Sequence, residues 1–401
     1  MESVYPNAAW LALCLLLYAA ITGRVERSWL SGPLLFTGAG FLLGPGVLGW
    51  LKLNVSTEWV RALAEAALAM VLFSDAAHAN FRAVLRAIGL PERLLLIGLP
   101  LTILLGFGLA WLMFPSIAVL EVALLAAMLA PTDAALGKPV VANKSVPEDV
   151  REALNLESGL NDGICVPVIV ILLGFAVGAQ VEHSTLHHIL FVIGEEIGIG
   201  LLAGIGVTSG AVALLRAAHA RCWITEEWLG IPAIATAAAC FAAAQALGGS
   251  GFIACFTGGL VVSWLNPPRR HDLLGGVEIA GETLALLTWA VFGAVIVAPL
   301  LARFSWLAVL YAVLSLTLIR MLPVWLCLTG TGMTAASKLF IGWFGPRGLA
   351  SVVFAIIVLQ EKLPGNDLLM TVTGYTVLLS ILAHGLSATP LIAVLRARLP
   401  G

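Results

Sequence analysis

The sequence predicts an all-α polytopic membrane protein with about 13 transmembrane helices in two inverted-topology repeats and two crossed, broken helices at mid-membrane. Composition is the first reason, because 60% of the 401 residues are hydrophobic and 11% are charged. Soluble domains are about 45–50% apolar and about 25% charged. The other reasons are the spacing of the apolar stretches and a set of similarities between the two halves of the chain.

Thirteen apolar stretches are candidate membrane spans, and a spanning helix needs about 20 mostly apolar residues. Most of the 21 Lys and Arg residues fall in the loops of one side when these stretches alternate in direction. Because positively charged loops stay in the cytoplasm, we expect an outside N-terminus, a cytoplasmic C-terminus and a location in the plasma (inner) membrane. The formal net charge of -2 gives no indication of nucleic-acid binding. The stretches are residues 8–23, 30–50, 59–77, 92–114, 119–142, 150–178, 187–215, 226–247, 250–265, 277–299, 304–328, 334–360 and 367–395.

Short similarities between the two halves predict an internal repeat. Phe-Thr-Gly occurs at 36–38 and at 256–258, and a proline with adjacent polar residues occurs at 131–133 and at 346–348. An odd number of spans separates the members of each pair, so the repeats would have opposite orientations, as in many secondary transporters. We expect no cytoplasmic regulatory domain. The predicted domains are the first repeat at 1–180, a connecting span at 181–220 and the second repeat at 221–401.

Pro131 and Pro346 predict one broken helix in each repeat. Proline removes a main-chain hydrogen bond, and each proline has a charged neighbour, Asp133 or Arg347. Two antiparallel broken helices bring together two N-terminal ends with partial positive charge and two C-terminal ends with partial negative charge. We therefore predict that Asp133 compensates the N-terminal ends and that Arg347 compensates the C-terminal ends.

Acidic and hydroxyl side chains are concentrated in the apolar sequence that follows Pro131. A charged residue at the bilayer centre costs at least about 2.5–3.5 kcal/mol, so residues of this kind at depth indicate a function. Ser158 and Asp162 are four residues apart and share a helix face. Oxygen atoms of these two side chains and of Thr132 and Asp133 suit a hard cation such as Na+. Asp75 is either a further ligand or an interfacial charge.

Glu157 needs a positively charged partner, because leaving a buried charge unpaired is costly. The other Lys and Arg residues lie in loops or near the ends of predicted spans, and Arg320 is the one lone cation at depth besides Arg347. We therefore predict a Glu157–Arg320 ion pair that braces the fold. Asp162 is then the carboxylate for which a proton and a cation compete. This competition is the minimal chemistry of an antiporter, and we expect no enzymatic activity and no cofactor besides the transported Na+ and H+.

Three motifs resemble those of a known family. They are Ala-Pro-Thr-Asp at 130–133, Glu-Ser-Gly-Leu-Asn-Asp at 157–162 and Phe-Gly-Pro-Arg-Gly at 344–348. The chain resembles the sodium/proton exchangers of the cation/proton antiporter superfamily, in the NhaP and mammalian NHE-like branch with an Asn-Asp motif. The resemblance covers essentially the whole membrane domain. It implies thirteen spans in an inverted repeat, elevator-like alternating access and a homodimer.

The resemblance also implies roles for the candidate ligands. Asp162 would be the carboxylate of the transported ion, with Ser158, Thr132 and Asp133 as neighbouring ligands of Na+. Asp75 stands where related archaeal exchangers have an acidic ligand, although an Asp reaches less far than the Glu of those relatives.

The remaining implied roles concern the core. Asn161 would stabilise the core, and Glu157 would pair with Arg320. Relatives with an Asp-Asp pair resemble electrogenic exchangers, so Asn161 implies electroneutral, one-for-one exchange.

Three other functions stay open. A K+/H+ antiporter of the same family would use similar oxygen ligands, because cavity geometry decides ion size. A cation channel is less favoured, since no filter-like loop is visible in the sequence. An intramembrane aspartyl protease could use Asp133 and Asp162, but it would need a Gly-x-Gly-Asp context in place of Gly-Leu-Asn-Asp.

Several polar residues in the apolar stretches have no assigned function. The glycine-rich seventh stretch, with Glu195 and Glu196, is assigned to helix packing and is a candidate dimer interface. Glu65 and Glu282 occupy related positions in the two repeats, and no role follows for them. His384 lies well inside a predicted span rather than in a loop or at a span end, so a pH-sensing role for it stays open.

Overall fold

The computed structural model describes residues 4–25, 28, 30–53, 58–79, 89–141, 143–178, 186–302 and 304–398. All the regular structure within these residues is helical, as the sequence predicts. The helices are α1 (Val4–Val25), α2 (Gly32–Leu43), α3 (Glu58–His78), α4 (Leu90–Met113), α5 (Val119–Met128), α6 (Ala134–Val141), α7 (Glu148–Gly178), α8 (Leu186–Ala220), α9 (Ile231–Ala246), α10 (Gly251–Leu265), α11 (Arg270–Ala302), α12 (Trp306–Cys327), α13 (Ala335–Trp343), α14 (Leu349–Gln360) and α15 (Asn366–Arg398).

The described helices correspond to the predicted spans when α5 with α6, and α13 with α14, are each taken as one interrupted span. Eight helices in the described part of the chain are long and apolar enough to cross a membrane. The four helices α2, α5, α10 and α14 are shorter and apolar. The short helices α2 and α10 occupy equivalent places in the two halves of the chain, as do the two interrupted spans.

Serine residues begin the equivalent helices α2 and α10 in the same way. The hydroxyl oxygen of Ser31 accepts a hydrogen bond from Leu34 N, and that of Ser250 accepts one from Ile253 N. A side-chain acceptor at this position satisfies a backbone N–H that the helix itself leaves without a partner. The two short helices therefore share their capping chemistry as well as their Phe-Thr-Gly sequence.

The second span is shorter than the prediction. Apolar residues continue to residue 50, but α2 ends at Leu43, because Gly44 and Pro45 follow and proline cannot continue a helix. The segment that follows α2 is held at Lys52 by a side chain of α1. Asn7 Nδ2 donates to Lys52 O at 3.0 Å, and Asn7 Oδ1 accepts from Lys52 N at 2.9 Å.

The chain divides into two compact units. Unit 1 comprises Met1–Leu63, Gly89–Ser158 and Leu286–Gly401, and unit 2 comprises Ala64–Ile88 and Gly159–Ala285. Each unit takes helices from both halves of the chain, so this division differs from the predicted repeats. The repeat boundaries at 180 and 220 stay a prediction.

Each unit has its own apolar core. In unit 2, close helix contacts require glycine: an added Cβ on Gly204 would lie 2.5 Å from Ala254 O, and one on Gly259 would lie 2.4 Å from Phe73 O. Small residues of this kind let membrane helices pack backbone to backbone. Buried members of the unit 1 core include Val140, Leu154, Val324, Phe340 and Ile392, and those of the unit 2 core include Phe73, Cys240, Cys255, Val262 and Val277.

Candidate functional site

The first interruption lies between α5 and α6, at residues 129–133, and ends in Asp133. The two carboxylate oxygens of Asp133 accept hydrogen bonds from two different helix starts. Leu136 N, in the first turn of α6, donates to Oδ1 at 3.0 Å. Leu349 N, the first residue of α14, donates to Oδ2 at 2.6 Å. A buried carboxylate thus lies at the N-terminal ends of α6 and α14, where partial positive charge favours it.

The second interruption lies between α13 and α14, at residues 344–348, and carries Arg347. The Arg347 side chain is completely buried. Its Nη1 atom donates to Ala130 O and, at 3.1 Å, to Pro131 O, directly after the C-terminal end of α5. The guanidinium group therefore compensates carbonyl oxygens that the broken helix leaves outside its own hydrogen-bond ladder.

Backbone and hydroxyl contacts join the two interruptions directly. Asp133 N donates to Pro346 O at 2.8 Å. The hydroxyl group of Ser351, in α14, donates to Met128 O at 2.7 Å. We call this arrangement of residues 128–136 and 343–351 the crossing. It forms within unit 1 and matches the crossed, broken helices that the sequence predicts.

Two glycines of the Phe-Gly-Pro-Arg-Gly motif make room for buried charged side chains. A Cβ on Gly345 would lie 2.3 Å from Nε of Arg320, and one on Gly348 would lie 1.9 Å from Oδ2 of Asp133. Contacts under 3.0 Å require displacement of one of the partners. The motif thus sets Pro346 and Arg347 between two positions where no larger residue fits.

Glu157 and Arg320 form a bidentate ion pair beside the crossing. The distances are 2.5 Å between Arg320 Nη1 and Glu157 Oε1 and 2.7 Å between Arg320 Nη2 and Glu157 Oε2. Both side chains are 1% exposed. Parallel N–H···O bonds of this kind fix geometry as well as charge. The pairing that the sequence predicts is therefore present, and it joins α7 to α12.

Two hydroxyl groups face each other where α7 passes the first interruption. Thr132 Oγ1 and Ser158 Oγ are 3.0 Å apart, and both residues are buried. A small cavity reaches Ser158 between α6 and α7. Its lining includes Gly137, Val141, Asn155, Ser158 and Phe344. In secondary transporters, oxygen atoms at the unwound segments of broken helices coordinate the transported cation through backbone carbonyl groups, and these hydroxyl groups lie at such a segment.

The other predicted ligands lie in unit 2. Asp162 is in α7, one helical turn after Ser158, and is 7% exposed, while Asn161 is fully buried. Asp75 of α3 is half-buried and packs close to α7, since a Cβ on Gly159 would lie 3.6 Å from Asp75 Cβ. Gly163 follows Asp162 and lies against the ring of Phe256, which an added Cβ would approach to 2.0 Å.

The structure also shows polar residues that sequence reasoning missed. Asn155 lines the cavity at Ser158, and its spacing of three residues from Ser158 was the available signal. Buried Glu121 accepts a hydrogen bond from Gly365 N at 3.2 Å. His384 had no partner that the sequence could reveal, and its Nε2 atom donates to Trp343 O, at the end of α13, at 2.8 Å.

The residues without an assigned role differ in their surroundings. Glu195 and Glu282 are exposed, and Glu65 and Glu196 are half-buried. The backbone of Glu196 is used in packing, because its carbonyl oxygen accepts from Ser250 N at 3.1 Å. Nothing in the structure assigns a function to these four side chains.

Comparison with known families decides the class of protein. The sequence pattern of the family described as "Sodium/hydrogen exchanger, transmembrane" matches residues 11–394. The chain belongs to this family. It is a multi-pass membrane transporter that exchanges a cation for a proton, as the motifs at 130–133, 157–162 and 344–348 predict.

Individual relatives agree with this assignment. The K(+)/H(+) antiporter NhaP2 of Shewanella sp. (strain ANA-3) is 27% identical over 410 residues, which cover 100% of this chain and 68% of the relative. The Na(+)/H(+) antiporter of Schizosaccharomyces pombe is 24% identical over 314 residues, covering 70% of this chain and 66% of the relative.

A solved structure has the same fold. The sodium proton antiporter MjNhaP1 of Methanocaldococcus jannaschii at pH 8 superposes with a TM-score of 0.71 at 19% identity, covering 94% of this chain and 98% of the other. The predicted fold class is confirmed by this similarity.

Proposed function

We propose that this antiporter exchanges Na+, and also Li+, for a proton across the plasma (inner) membrane. The observation that carries the proposal is the buried Thr132–Ser158 hydroxyl pair, with Oγ atoms 3.0 Å apart, at the edge of a cavity. Hydroxyl oxygens are hard ligands that replace part of the hydration shell of a small monovalent cation. The crossing supports these ligands, since Thr132 lies within the first interruption and next to Asp133.

Asp162 is the residue to which we assign the exchange of a proton for a cation. It is buried and follows Ser158 by four residues in the continuous helix α7. A carboxylate in such surroundings is stable either as the neutral acid or with a cation beside it. Proton and cation would then bind alternately, which couples their fluxes. Thr132, Asp133 and Asp75 are the further ligands in this proposal.

The exchange is proposed to be electroneutral and one for one. Position 161 holds an amide, so one carboxylate rather than two would carry charge in the Asn161-Asp162 pair. The driving force is then chemical, about 1.36 kcal/mol for each unit of pH difference. Membrane voltage, worth about 2.3 kcal/mol per charge and 100 mV, would leave the rate unchanged.

A homodimer with an outside N-terminus is the proposed assembly. In α8, Gly200 and Gly204 pack against α10, whereas a Cβ on Gly194, Gly198, Gly206 or Gly210 would meet no atom within 4 Å. This open face of small residues would allow close approach of the same helix in a second copy. Cross-linking of single cysteines introduced at Gly206 should join two copies, and persistent monomers would contradict the proposal.

Ion-dependent proton flux in proteoliposomes tests the function. With Na+, Li+ and K+ supplied in turn, the purified protein should move protons saturably with Na+ and Li+, and Asp162→Asn should show no flux. A flux that changes with imposed voltage would contradict electroneutral exchange. Single-channel current would contradict alternating access.

The second candidate is K+/H+ exchange. The observation in its favour is that the relative from Shewanella, which aligns over the whole chain, is named a K(+)/H(+) antiporter. The same three-ion experiment separates the two, because saturable flux with K+ and none with Na+ would replace the first proposal by the second.

A further inference from the structure

The last helix, α15, carries a polar stripe that faces the second interruption. Ser380, His384 and Ser387 recur at intervals of four and three residues, so they lie on one face of the helix. Within an otherwise apolar span, a stripe of this kind needs partners, because buried polar groups are stable when they form hydrogen bonds. All three side chains form hydrogen bonds with Trp343 or Arg347, the residues near the two ends of this interruption.

These contacts hold both ends of the interruption. The hydroxyl oxygen of Ser380 accepts from Arg347 N at 2.7 Å. His384 Nε2 lies 2.8 Å from Trp343 O, and the Trp343 indole donates to Ser387 Oγ at 2.8 Å. Ser380 and His384 are buried, and the His384 ring also packs against the rings of Trp343 and Phe344.

The hydrogen-bond geometry determines the role of the imidazole. Trp343 O can only accept, so the Nε2 atom of His384 must carry its hydrogen and donate it. With the hydrogen on Nε2, the Ser380 hydroxyl group, 3.2 Å from Nδ1, can donate to that nitrogen. A second proton on Nδ1 would find Ser380 O at 2.8 Å. The bond to Trp343 O is therefore kept in both protonation states.

The need for such a donor follows from the crossing. Four helix ends meet there, and Asp133 accepts from the two N-terminal ends while Arg347 donates to the carbonyl oxygens after α5. The C-terminal end of α13 has its own partial negative charge, and Trp343 O lies at this end. His384 donates to that carbonyl oxygen from α15, which is not one of the four helices of the crossing.

We propose that His384, with Ser380, is a positioning residue of the exchange reaction: it holds the C-terminal end of α13 and so fixes Arg347 and Asp133 beside the cation ligands. The predicted effect on the KM for the cation rests on the proposed function. The predicted effect on backbone amide exchange rests on the crossing alone. The stripe contacts Trp343 and Arg347, so its effect on cation binding would be transmitted through residues 344–349.

A pair of matched variants tests this role. His384→Gln places an amide N–H near the position of Nε2, whereas His384→Asn places its amide near Nδ1, too short to reach Trp343 O. Hydrogen–deuterium exchange of the backbone amides of residues 344, 345 and 347–349 is measured together with the apparent KM for the cation, since Pro346 has no amide hydrogen. We expect His384→Asn to speed amide exchange and raise the KM about tenfold, because Trp343 O loses its side-chain donor and keeps only the backbone hydrogen bond from Gly345 N within the interruption itself. His384→Gln should stay within about twofold of the wild type.

The outcomes separate the inference from its alternatives. Wild-type exchange and KM in His384→Asn, or equal defects in His384→Asn and His384→Gln, would overturn it. If His384→Asn does not fold, Ser380→Ala decides, because it should speed exchange of the Arg347 amide and leave that of Gly342 unchanged. Absence of transport in the wild type would refute the proposed function, while the amide-exchange result would still decide the positioning role.

Discussion

Each of the two interruptions carries a side chain that compensates the ends of broken helices. The two side chains have opposite charges, and the contacts around them differ. The first, at residues 129–133, ends in a carboxylate that accepts from helix starts on both sides of the crossing. The second, at residues 344–348, holds a guanidinium group that donates to the first. The second interruption also requires two glycines, and it exchanges hydrogen bonds with α15 in both directions. The first interruption is thus sensitive to charge, and the second to both charge and volume.

Removal of the Arg347 side chain should destabilise the two interruptions more than any other change considered below. Arg347→Ala leaves Ala130 O and Pro131 O without this charged donor. We expect a loss of unfolding free energy of about 3–6 kcal/mol, because each of the two hydrogen bonds to a charged group contributes about 1.5–3 kcal/mol. Thermal unfolding of the purified protein in detergent measures it, with exposed Arg396→Ala as the control. Wild-type stability and transport of Arg347→Ala would contradict the account.

Breaking the Glu157–Arg320 pair should come next. Glu157→Gln leaves a buried guanidinium group without its countercharge but keeps one hydrogen-bond acceptor, so we expect about 3 kcal/mol of destabilisation. A double variant, Glu157→Gln with Arg320→Gln, should regain part of this loss, because two neutral amides can pair. If the double variant were less stable than the sum of the single changes, the ion pair would not be the brace described here.

A methyl group at Gly348 should separate volume from charge. Gly348→Ala changes no charge, yet its Cβ would lie 1.9 Å from Asp133 Oδ2. Overpacking of this kind costs about 1–3 kcal/mol, and it should raise the apparent KM for the cation because Asp133 must move. Gly108→Ala in α4, where a Cβ meets no atom within 4 Å, is the matched control. If the two variants had equal stability and equal KM, the small volume of Gly348 would not be required.

The smallest effect should come from the hydroxyl group that links α14 to α5. Ser351→Ala removes the bond to Met128 O, 2.7 Å long, and leaves the charges of the crossing in place. A single buried hydrogen bond contributes about 1 kcal/mol, so a small fall in the melting temperature with near-normal transport is expected. A loss of stability equal to that of Arg347→Ala would mean that hydrogen bonding, rather than charge, dominates the crossing.

The sequence was sufficient to predict the features that depend on residue type and spacing along the chain. Pro131 and Pro346 predicted the two interruptions, and the scarcity of charges in apolar stretches led from Glu157 to Arg320. Asp133 could be assigned to helix starts because a broken helix must have one. Each of these inferences uses the cost of burying charge or freeing backbone groups, which does not depend on knowing the neighbours.

Other features could not be predicted because they depend on neighbours that are remote in sequence. Gly345 and Gly348 are required by the side chains of Arg320 and Asp133, and no spacing rule reveals such a contact. His384 could be noticed as a polar residue in an apolar span, but its partner Trp343 is known only from the packing of α15. The end of α2 at Leu43 was misjudged because hydropathy continues past the point where Gly44 and Pro45 stop the helix.

The central proposal is that a proton and a cation compete for one carboxylate, Asp162, four residues after Ser158 in α7. Calorimetric titration of the purified wild type with Na+ at a series of pH values tests it most directly. The account predicts that cation binding releases a proton and that the apparent affinity falls about tenfold for each pH unit below the titration of the site, while Asp162→Asn shows no proton release. Affinity independent of pH in the wild type, or unchanged proton release in Asp162→Asn, would contradict it.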